Sequence, residues 1–93
     1  MRSTRCTTVR MLQRTFVYVL RSIGHPTRYY SGLTSNLNAR LAVHNSGRSR
    51  HTAGLRPWAM VACVEFACQE SAVAFEKYLK TGSGRAFAKR HFV

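Results

Sequence analysis

The chain has 93 residues, of which 15 are Lys or Arg and three are acidic, giving a formal net charge of +12. This length allows one domain with a modest core, and a hydrophobic fraction of 45% argues against global disorder. Twelve of the cations are arginines, which form bidentate contacts with phosphates. The charge therefore indicates nucleic acid as the first partner to consider and an anionic membrane surface as the second. A basic structural protein of the ribosomal kind remains an alternative.

The apolar segments and the cysteines indicate the expected cellular setting. No apolar run approaches the roughly 18 residues of a membrane span, and no secretory signal core is present. Cys6, Cys63 and Cys68 are odd in number and form no CxxC pair, so a structural zinc site is not expected. Cys63 lies in an apolar run and is expected to be buried. We predict a cytoplasmic protein with no membrane partner and no small-molecule cofactor.

Residues 1–14 (MRSTRCTTVRMLQR) are basic, contain no acidic residue and show no clear periodicity. We predict a disordered tail here, followed by one domain over residues 15–93. Three interpretations of the tail stay open. It resembles a transit peptide in composition, it could be a basic arm that gathers DNA, or Met11 could be the true start.

Two short β-type runs, Thr15–Arg21 (TFVYVLR) and Arg28–Leu33 (RYYSGL), flank a Gly- and Pro-containing turn and predict a hairpin. A turn centred near Gly24 and the next residue would place Tyr18 opposite Tyr30, within one residue of register. Strand neighbours of this kind stand about 5 Å apart on one face. The hairpin is therefore expected to bring two tyrosines together.

A helix is predicted from Asn36 to His44, with Thr34 or Ser35 as its N-cap. Leucines recur at helical spacing and would anchor this helix to the sheet. Arg40 and His44 lie one turn apart on a neighbouring strip of the same face.

The rest of the chain alternates polar loops with apolar segments. Asn45–Pro57 is a long Gly- and Arg-rich loop, and Trp58–Ala67 is a third strand, expected to be central. A helix at Glu70–Lys80, a break at Thr81–Gly84 and a basic helix at Arg85–Phe92 follow. The predicted fold class is α+β: a small three-stranded, mainly antiparallel sheet flanked by helices, in the order ββαβαα.

Glu76 is the carboxylate best placed for chemistry. The chain has no Asp, Glu65 lies in the apolar strand, and Glu70 stands near a helix start, where the helix dipole explains it. Glu76 borders the buried face of its helix and could hold a hard cation together with water and substrate phosphate oxygens. The alternative is a surface ion pair with Lys80, four residues later.

The other candidate catalytic residues also have simpler structural explanations. Tyr18 and Tyr30 could be half-buried packing residues with their hydroxyls at the rim, since a phenol with its usual pKa near 10 is a poor base. Arg40 could clamp a scissile phosphate, and His44 could position water or donate a proton. Both could instead be solvated residues on the helix flank.

As an ordered set, these residues resemble the GIY-YIG nuclease domain, over about Thr15 to Phe92. The matching segments are FVY (16–18), YSG (30–32), LTSNLNARLAVHNSG (33–47), PW (57–58) and FEKYLKTGSGRAF (75–87). The last two segments look like those of the small single-domain bacterial members, which implies a bacterial-type, nucleoid-associated protein. Of the first triplet only the tyrosine matches, and the second keeps its tyrosine and glycine. The second helix lacks the expected Ser or Thr cap. These departures affect fine geometry and leave the chemical groups in place.

The resemblance implies hydrolysis of one DNA strand with a single divalent metal, Mg²⁺ or Mn²⁺. Tyr18 would help to activate water, Tyr30 would hydrogen-bond the phosphate or the nucleophile, Arg40 would stabilise the transition state, and Glu76 would hold the metal. His44 matches a position that many members use.

We further predict a set of residues that contact DNA: Arg28, Arg48, Arg50, His51, Arg56, Lys80, Arg85 and Lys89. The alternative function is a non-catalytic nucleic-acid-binding module. A partner protein conferring specificity is compatible with both functions.

Overall fold

The computed structural model describes residues 14–92, so the predicted tail lies almost entirely outside the described residues. Within this range one antiparallel sheet and three helices follow the predicted order ββαβαα, which is confirmed. The strands are β1 (Thr15–Ser22), β2 (Tyr29–Thr34) and β3 (Trp58–Phe66), and the helices are α1 (Leu37–Ser46), α2 (Gln69–Leu79) and α3 (Gly82–His91). A short 3-10 helix, Ala53–Leu55, interrupts the loop between α1 and β3.

The central strand is β1, since the sheet order is β2-β1-β3. The expectation of a central β3 is therefore wrong. Four consecutive β1 residues, 17–20, are buried, which requires cover on both faces of that strand. In β3, by contrast, Cys63 and Glu65 are exposed. The expectation that Cys63 is buried is wrong for the same reason: an edge strand can present one side to solvent.

Two apolar clusters lie on the two faces of the sheet. Alternate β1 residues point to opposite faces. Val17 and Val19 pack with Ala72 and Leu79 of α2, and the side chains of α3 complete this cluster. On the other face, Tyr18, Leu20 and Trp58 form a second cluster with Tyr30, Leu37, Leu41, Leu55 and Met60. The face covered by α1 therefore also carries the two candidate tyrosines.

The hairpin register differs from the prediction. Tyr18 pairs with Gly32, whereas Tyr30 pairs with Leu20. The paired residues of β1 and β2 are symmetrical about His25, whereas the predicted turn centre lay between residues 24 and 25. A shift of the turn centre by half a residue changes the partner of each β1 residue by one position. Tyr18 and Tyr30 are consequently diagonal neighbours on one face, with ring centroids 6.4 Å apart.

Asn36 caps α1, through a side-chain oxygen that accepts a hydrogen bond from the Ala39 amide at 3.0 Å. The predicted caps are wrong because Thr34 instead bonds the backbone of Asn36. The helix ends at Gly47, whose φ of +86° favours glycine. α1 therefore runs two residues beyond His44, the predicted end.

α3 begins earlier than predicted. Thr81 accepts a hydrogen bond from the Gly84 amide at 3.0 Å, so the predicted break becomes the first turn of the helix. Gly84 is buried, and a Cβ there would collide with the Tyr78 backbone. This glycine therefore lets α3 pack closely against the end of α2. None of the helices within residues 14–92 is long and apolar enough to cross a membrane.

Candidate active site

Tyr18 lies in the centre of the sheet with only 2% of its surface exposed. Its ring crosses the neighbouring strand at Gly32, where an added Cβ would stand 2.6 Å from the Tyr18 hydroxyl. A glycine inside a strand often marks such a close approach. Because residue 32 has no side chain, the Tyr18 ring can occupy the space above it.

His44 projects from α1 into the same space and is also 2% exposed. Its Nε2 stands 2.9 Å from the Tyr18 hydroxyl, and its Nδ1 stands 2.8 Å from Thr52 Oγ1. The Tyr30 ring packs against the imidazole with centroids 4.9 Å apart. The structure thus brings three of the predicted catalytic residues into direct contact and adds Thr52 as a fourth partner.

The loop between α1 and β3 holds Thr52 in place. Thr52 is fully buried, and its carbonyl accepts a hydrogen bond from Trp58 Nε1 at 2.9 Å. Asn45 fixes the start of β3, since its side chain bonds the backbone nitrogen and oxygen of Trp58 at 2.6 and 3.1 Å. The sequence reasoning missed the roles of these three residues. Asn45 and Trp58 fell within segments of the family resemblance, whereas no spacing signal singled out Thr52.

The hydrogen-bond geometry favours one tautomer of His44. The Thr52 hydroxyl has the Ser49 carbonyl 3.5 Å away as an acceptor for its proton. Thr52 Oγ1 can then accept from Nδ1–H of His44, which leaves Nε2 to accept the Tyr18 proton. Every buried side-chain polar atom in residues 14–92 has a partner. In this arrangement Tyr18 is a donor whose oxygen lone pairs remain available.

Burial sets the protonation states of the pair. Burial raises the pKa of Tyr18 to about 12, with the Tyr30 phenol adding to the rise, the Arg40 guanidinium opposing it, and the Glu76 carboxylate also adding to it. The pKa of His44 is lowered, first by burial and then by the positive charge of Arg40. Both effects favour a neutral tyrosine bonded to a neutral imidazole near pH 7.

The charge of Arg40, on α1, acts on both members of this pair, whereas the charge of Glu76, on α2, acts on Tyr18. Arg40 is exposed on α1, one turn before His44, and its charge reaches both Tyr18 and His44. Glu76 lies on α2 with 15% of its side chain exposed, and its charge reaches Tyr18. Of the predicted catalytic residues, His44 therefore contacts the Tyr18 hydroxyl directly and Tyr30 packs beside it. Arg40 and Glu76 influence it through their charges.

The surface ion pair considered for Glu76 is present in the structure. Lys80 Nζ stands 3.0 Å from Glu76 Oε2, donates to the Ser31 carbonyl at 3.3 Å, and lies 5.4 Å from the centre of the Tyr30 ring. The ammonium group therefore lies between the carboxylate and the edge strand, beside a ring of the candidate site.

The donor set fits a hard cation that the substrate helps to ligate. In the described residues no group of three or more His, Cys, Asp or Glu side chains could hold a metal by itself. Both His44 nitrogens are already bonded, which leaves Glu76 as the ligand. This carboxylate already accepts a cation, the Lys80 ammonium, at 3.0 Å. Mg²⁺ is commonly held by one or two carboxylates plus water and phosphate oxygens.

The predicted DNA-contacting residues fall into two groups, and all of them are exposed. One group lines a groove of about 680 Å³ that extends to Tyr30: Arg28, Lys80, Arg85 and Lys89. The other group lies on the loop between α1 and β3: Arg48, Arg50, His51 and Arg56. The first group therefore adjoins the candidate site at Tyr30, and the second lies on the loop that places Thr52 against His44.

Sequence comparison identifies the domain. The profile of the GIY-YIG catalytic domain matches residues 14–90. The chain belongs to the GIY-YIG family. The prediction of a GIY-YIG-type endonuclease is thereby confirmed at the level of the family.

Relatives of this GIY-YIG domain come from a yeast and from bacteria. It is 38% identical over 71 residues to the structure-specific endonuclease subunit SLX1 of Debaryomyces hansenii, which covers 69% of this chain and 20% of that protein. It is 34% identical over 71 residues to a UPF0213 protein of Streptococcus pneumoniae, covering 75% and 70%. The chain thus spans about one fifth of the yeast relative and most of the bacterial one.

Proposed function

We propose that this GIY-YIG domain is a metal-dependent DNA endonuclease that hydrolyses one phosphodiester bond. The observation that carries the proposal is the buried hydrogen bond between Tyr18 and His44, on which the charges of Arg40 and Glu76 act. A neutral donor–acceptor pair with a cation on one side and a carboxylate on the other suits attack by water on a phosphate.

The hydrogen-bond chain gives Tyr18 a way to act as a base although its pKa is raised. A phenol with a pKa of about 12 is not ionised near pH 7. In the proposed step, the Tyr18 oxygen accepts a proton from the attacking water while its own proton passes to Nε2 of His44. No free phenolate forms. The positive charge of Arg40 acts to lower the pKa of both the phenol and the imidazole, so the proton is directed by the 2.9 Å hydrogen bond between them.

The remaining residues handle the phosphate. Arg40 would offset the negative charge that grows on the phosphoryl oxygens, and Tyr30, packed on His44, would hydrogen-bond the phosphate. Glu76 would hold Mg²⁺ or Mn²⁺, a Lewis acid that polarises the phosphate when it is bound. A metal held at Oε2 of Glu76 would take the place of Lys80, whose ammonium could then contact the phosphate backbone.

The comparisons support DNA as the substrate and DNA repair, recombination or processing as the setting. The yeast relative is described as a structure-specific endonuclease subunit, which associates this kind of domain with DNA structure and with a multisubunit enzyme. We propose that a partner protein confers specificity here as well. The cytoplasmic, nucleoid-associated location stays a prediction.

A nicking assay on supercoiled plasmid with Mg²⁺ or Mn²⁺ tests the assignment. We expect Glu76→Gln to abolish nicking, and Tyr18→Phe and Arg40→Ala to lower its rate roughly 100- to 1,000-fold. Glu70→Gln is the matched control, since Glu70 is an exposed carboxylate in the first turn of the same helix. Wild-type rates in all three site variants would refute the site. Nicking that persists in excess EDTA would refute the dependence on a divalent metal.

A second function is a binding module without catalysis. The Lys80–Glu76 ion pair favours it, because an ammonium already occupies the only carboxylate of the site. That function predicts DNA binding that does not depend on metal, and no cleavage with any divalent cation. Plasmid nicking that Glu76→Gln removes would rule it out.

A further inference from the structure

The groove that extends to Tyr30 has a composition which the catalytic proposal does not explain. Its floor and walls come from Val19 of β1, the turn at residues 26–28, β2, the end of α2, and α3, and its lining contains no acidic residue. Four of the lining side chains are cationic. Arg28, Arg85 and Lys89 have no carboxylate partner anywhere in the described residues. The groove is therefore a positive channel beside the candidate site in which Lys80 is paired with Glu76 and the other three cations have no carboxylate partner.

Tyr29 gives this channel an aromatic wall. It lines the groove with 44% of its surface exposed, a high value for a tyrosine in a strand. In residues 14–92 its ring packs on no other aromatic ring and its hydroxyl makes no hydrogen bond, whereas the next residue, Tyr30, packs on His44, Tyr18 and Trp58. The packing of the domain therefore does not explain why an aromatic side chain stands exposed at residue 29.

A concave cationic groove with an exposed aromatic ring suits unpaired nucleotides. Such grooves follow the phosphate backbone with their cations while bases stack on aromatic rings. A duplex hides the faces of its bases inside the stack, so it cannot use a ring on the wall of a groove. We propose that this groove binds a single DNA strand that leads away from the scissile phosphate, with a base stacked on Tyr29.

This inference rests on the proposed endonuclease function and specifies its substrate class. The groove meets the site at Tyr30 and Lys80, so a strand in the groove would be continuous with a phosphate at Tyr18 and Arg40. The preferred substrates are then DNAs with an unpaired strand next to the cleaved bond, and fully paired DNA is the poorer substrate.

Metal-free binding separates this inference from catalysis. Fluorescence anisotropy in EDTA would compare labelled oligothymidylate of about 12 nucleotides, within the usual site size, with a duplex of equal length. We expect Tyr29→Ala to weaken single-strand binding about 5- to 100-fold and duplex binding less than about twofold, with Tyr29→Phe close to wild type. An equal loss on both probes, or no loss on the single strand, would overturn the proposal.

The cations of the groove have a matched control on the same helix. Arg85→Ala should weaken single-strand binding more than Arg90→Ala, although both remove one exposed arginine from α3, because only Arg85 lines the groove. Equal effects would show general attraction by net charge and overturn the assignment. Intact, Tyr29-dependent single-strand binding by the wild type in EDTA, together with absent nicking by the wild type with Mg²⁺ or Mn²⁺, would refute the nuclease function alone.

Discussion

Thr52 has a specific structural role, which is to hold the imidazole of His44. It is fully buried in a loop that is otherwise mainly polar, and its hydroxyl stands 2.8 Å from Nδ1 of His44. Without this acceptor the imidazole could carry its proton on either nitrogen, and only one tautomer leaves Nε2 free to accept from Tyr18. We therefore treat Thr52 as a positioning residue for the Tyr18–His44 pair.

Replacing Thr52 with valine tests that role at nearly constant volume. We expect kcat for plasmid nicking to fall about tenfold, the scale of one lost buried hydrogen bond, with KM nearly unchanged. Thr52→Ser keeps the hydroxyl and should retain most of the activity, although it loses a buried methyl group. Nitrogen NMR of His44 should show a changed tautomer in the valine variant only. An unchanged tautomer, or equal losses in both variants, would show a purely structural role.

His44 also predicts how stability depends on pH. Its pKa is lowered in the folded state, so as pH falls below about 6.5 the unfolded chain binds a proton at this residue before the folded chain does. The free energy of unfolding should therefore decrease as pH falls from about 7 to 5. Urea unfolding across this range should show a smaller decrease in His44→Gln, whereas His25→Gln, changed in an exposed loop, should behave like the wild type. An equal decrease in all three proteins would contradict this.

At the scale of elements, the pairing of β1 with β2 decides where Tyr18 lies. Gly32→Ala would place a Cβ 2.6 Å from the Tyr18 hydroxyl, so the ring must move. A displacement of about 1 Å can cost 100-fold in rate, and overpacking costs about 1–3 kcal/mol of stability. Gly24→Ala is the control, since a Cβ there meets nothing within 4 Å. Activity and thermal unfolding, measured together, should change in the first variant and not in the second.

The elements themselves could be predicted from local pattern. The β-branched and aromatic run from Val17 to Leu20 indicated a strand, and the helical spacing of Ala72, Phe75 and Leu79 indicated a helix with one face against a core. The predicted N-cap of α1 was wrong because Thr34, Ser35 and Asn36 are all good capping residues. Only the geometry at the end of β2 selects Asn36.

The arrangement of the elements was less predictable. An apolar run is compatible with an edge or a central strand, and β3 was misplaced for that reason. The five catalytic candidates could be predicted only as an ordered set, because each has an ordinary structural use. Thr52 could not be found, since its role depends on a contact between a loop and α1. The position of Tyr29 in the groove likewise could not be predicted, since it depends on α3 lying across the groove from β2.

At the scale of the whole molecule, the positive charge divides into two surfaces with different shapes. The groove on the α2–α3 face is concave and has an aromatic wall, whereas Arg48, Arg50, His51 and Arg56 stand exposed on a loop of the α1 face. The Tyr18–His44 pair lies on the α1 face, next to that loop, and the groove extends to its neighbour Tyr30. An exposed cationic loop suits a duplex backbone, which offers phosphates to its outside and no free base faces.

Duplex binding should therefore depend on the loop through counterion release. Each phosphate that a cation neutralises steepens the fall of log affinity with log salt by about 0.9 for duplex DNA, so Arg48→Ala/Arg50→Ala should flatten that slope by about 1.8. Arg90→Ala, which removes a cation from α3 on the other face, should leave the duplex slope nearly unchanged. Anisotropy titrations in EDTA at several salt concentrations would measure both. A slope that flattens equally for loop and α3 variants would mean that the duplex contacts the whole charged surface and has no defined path across the site.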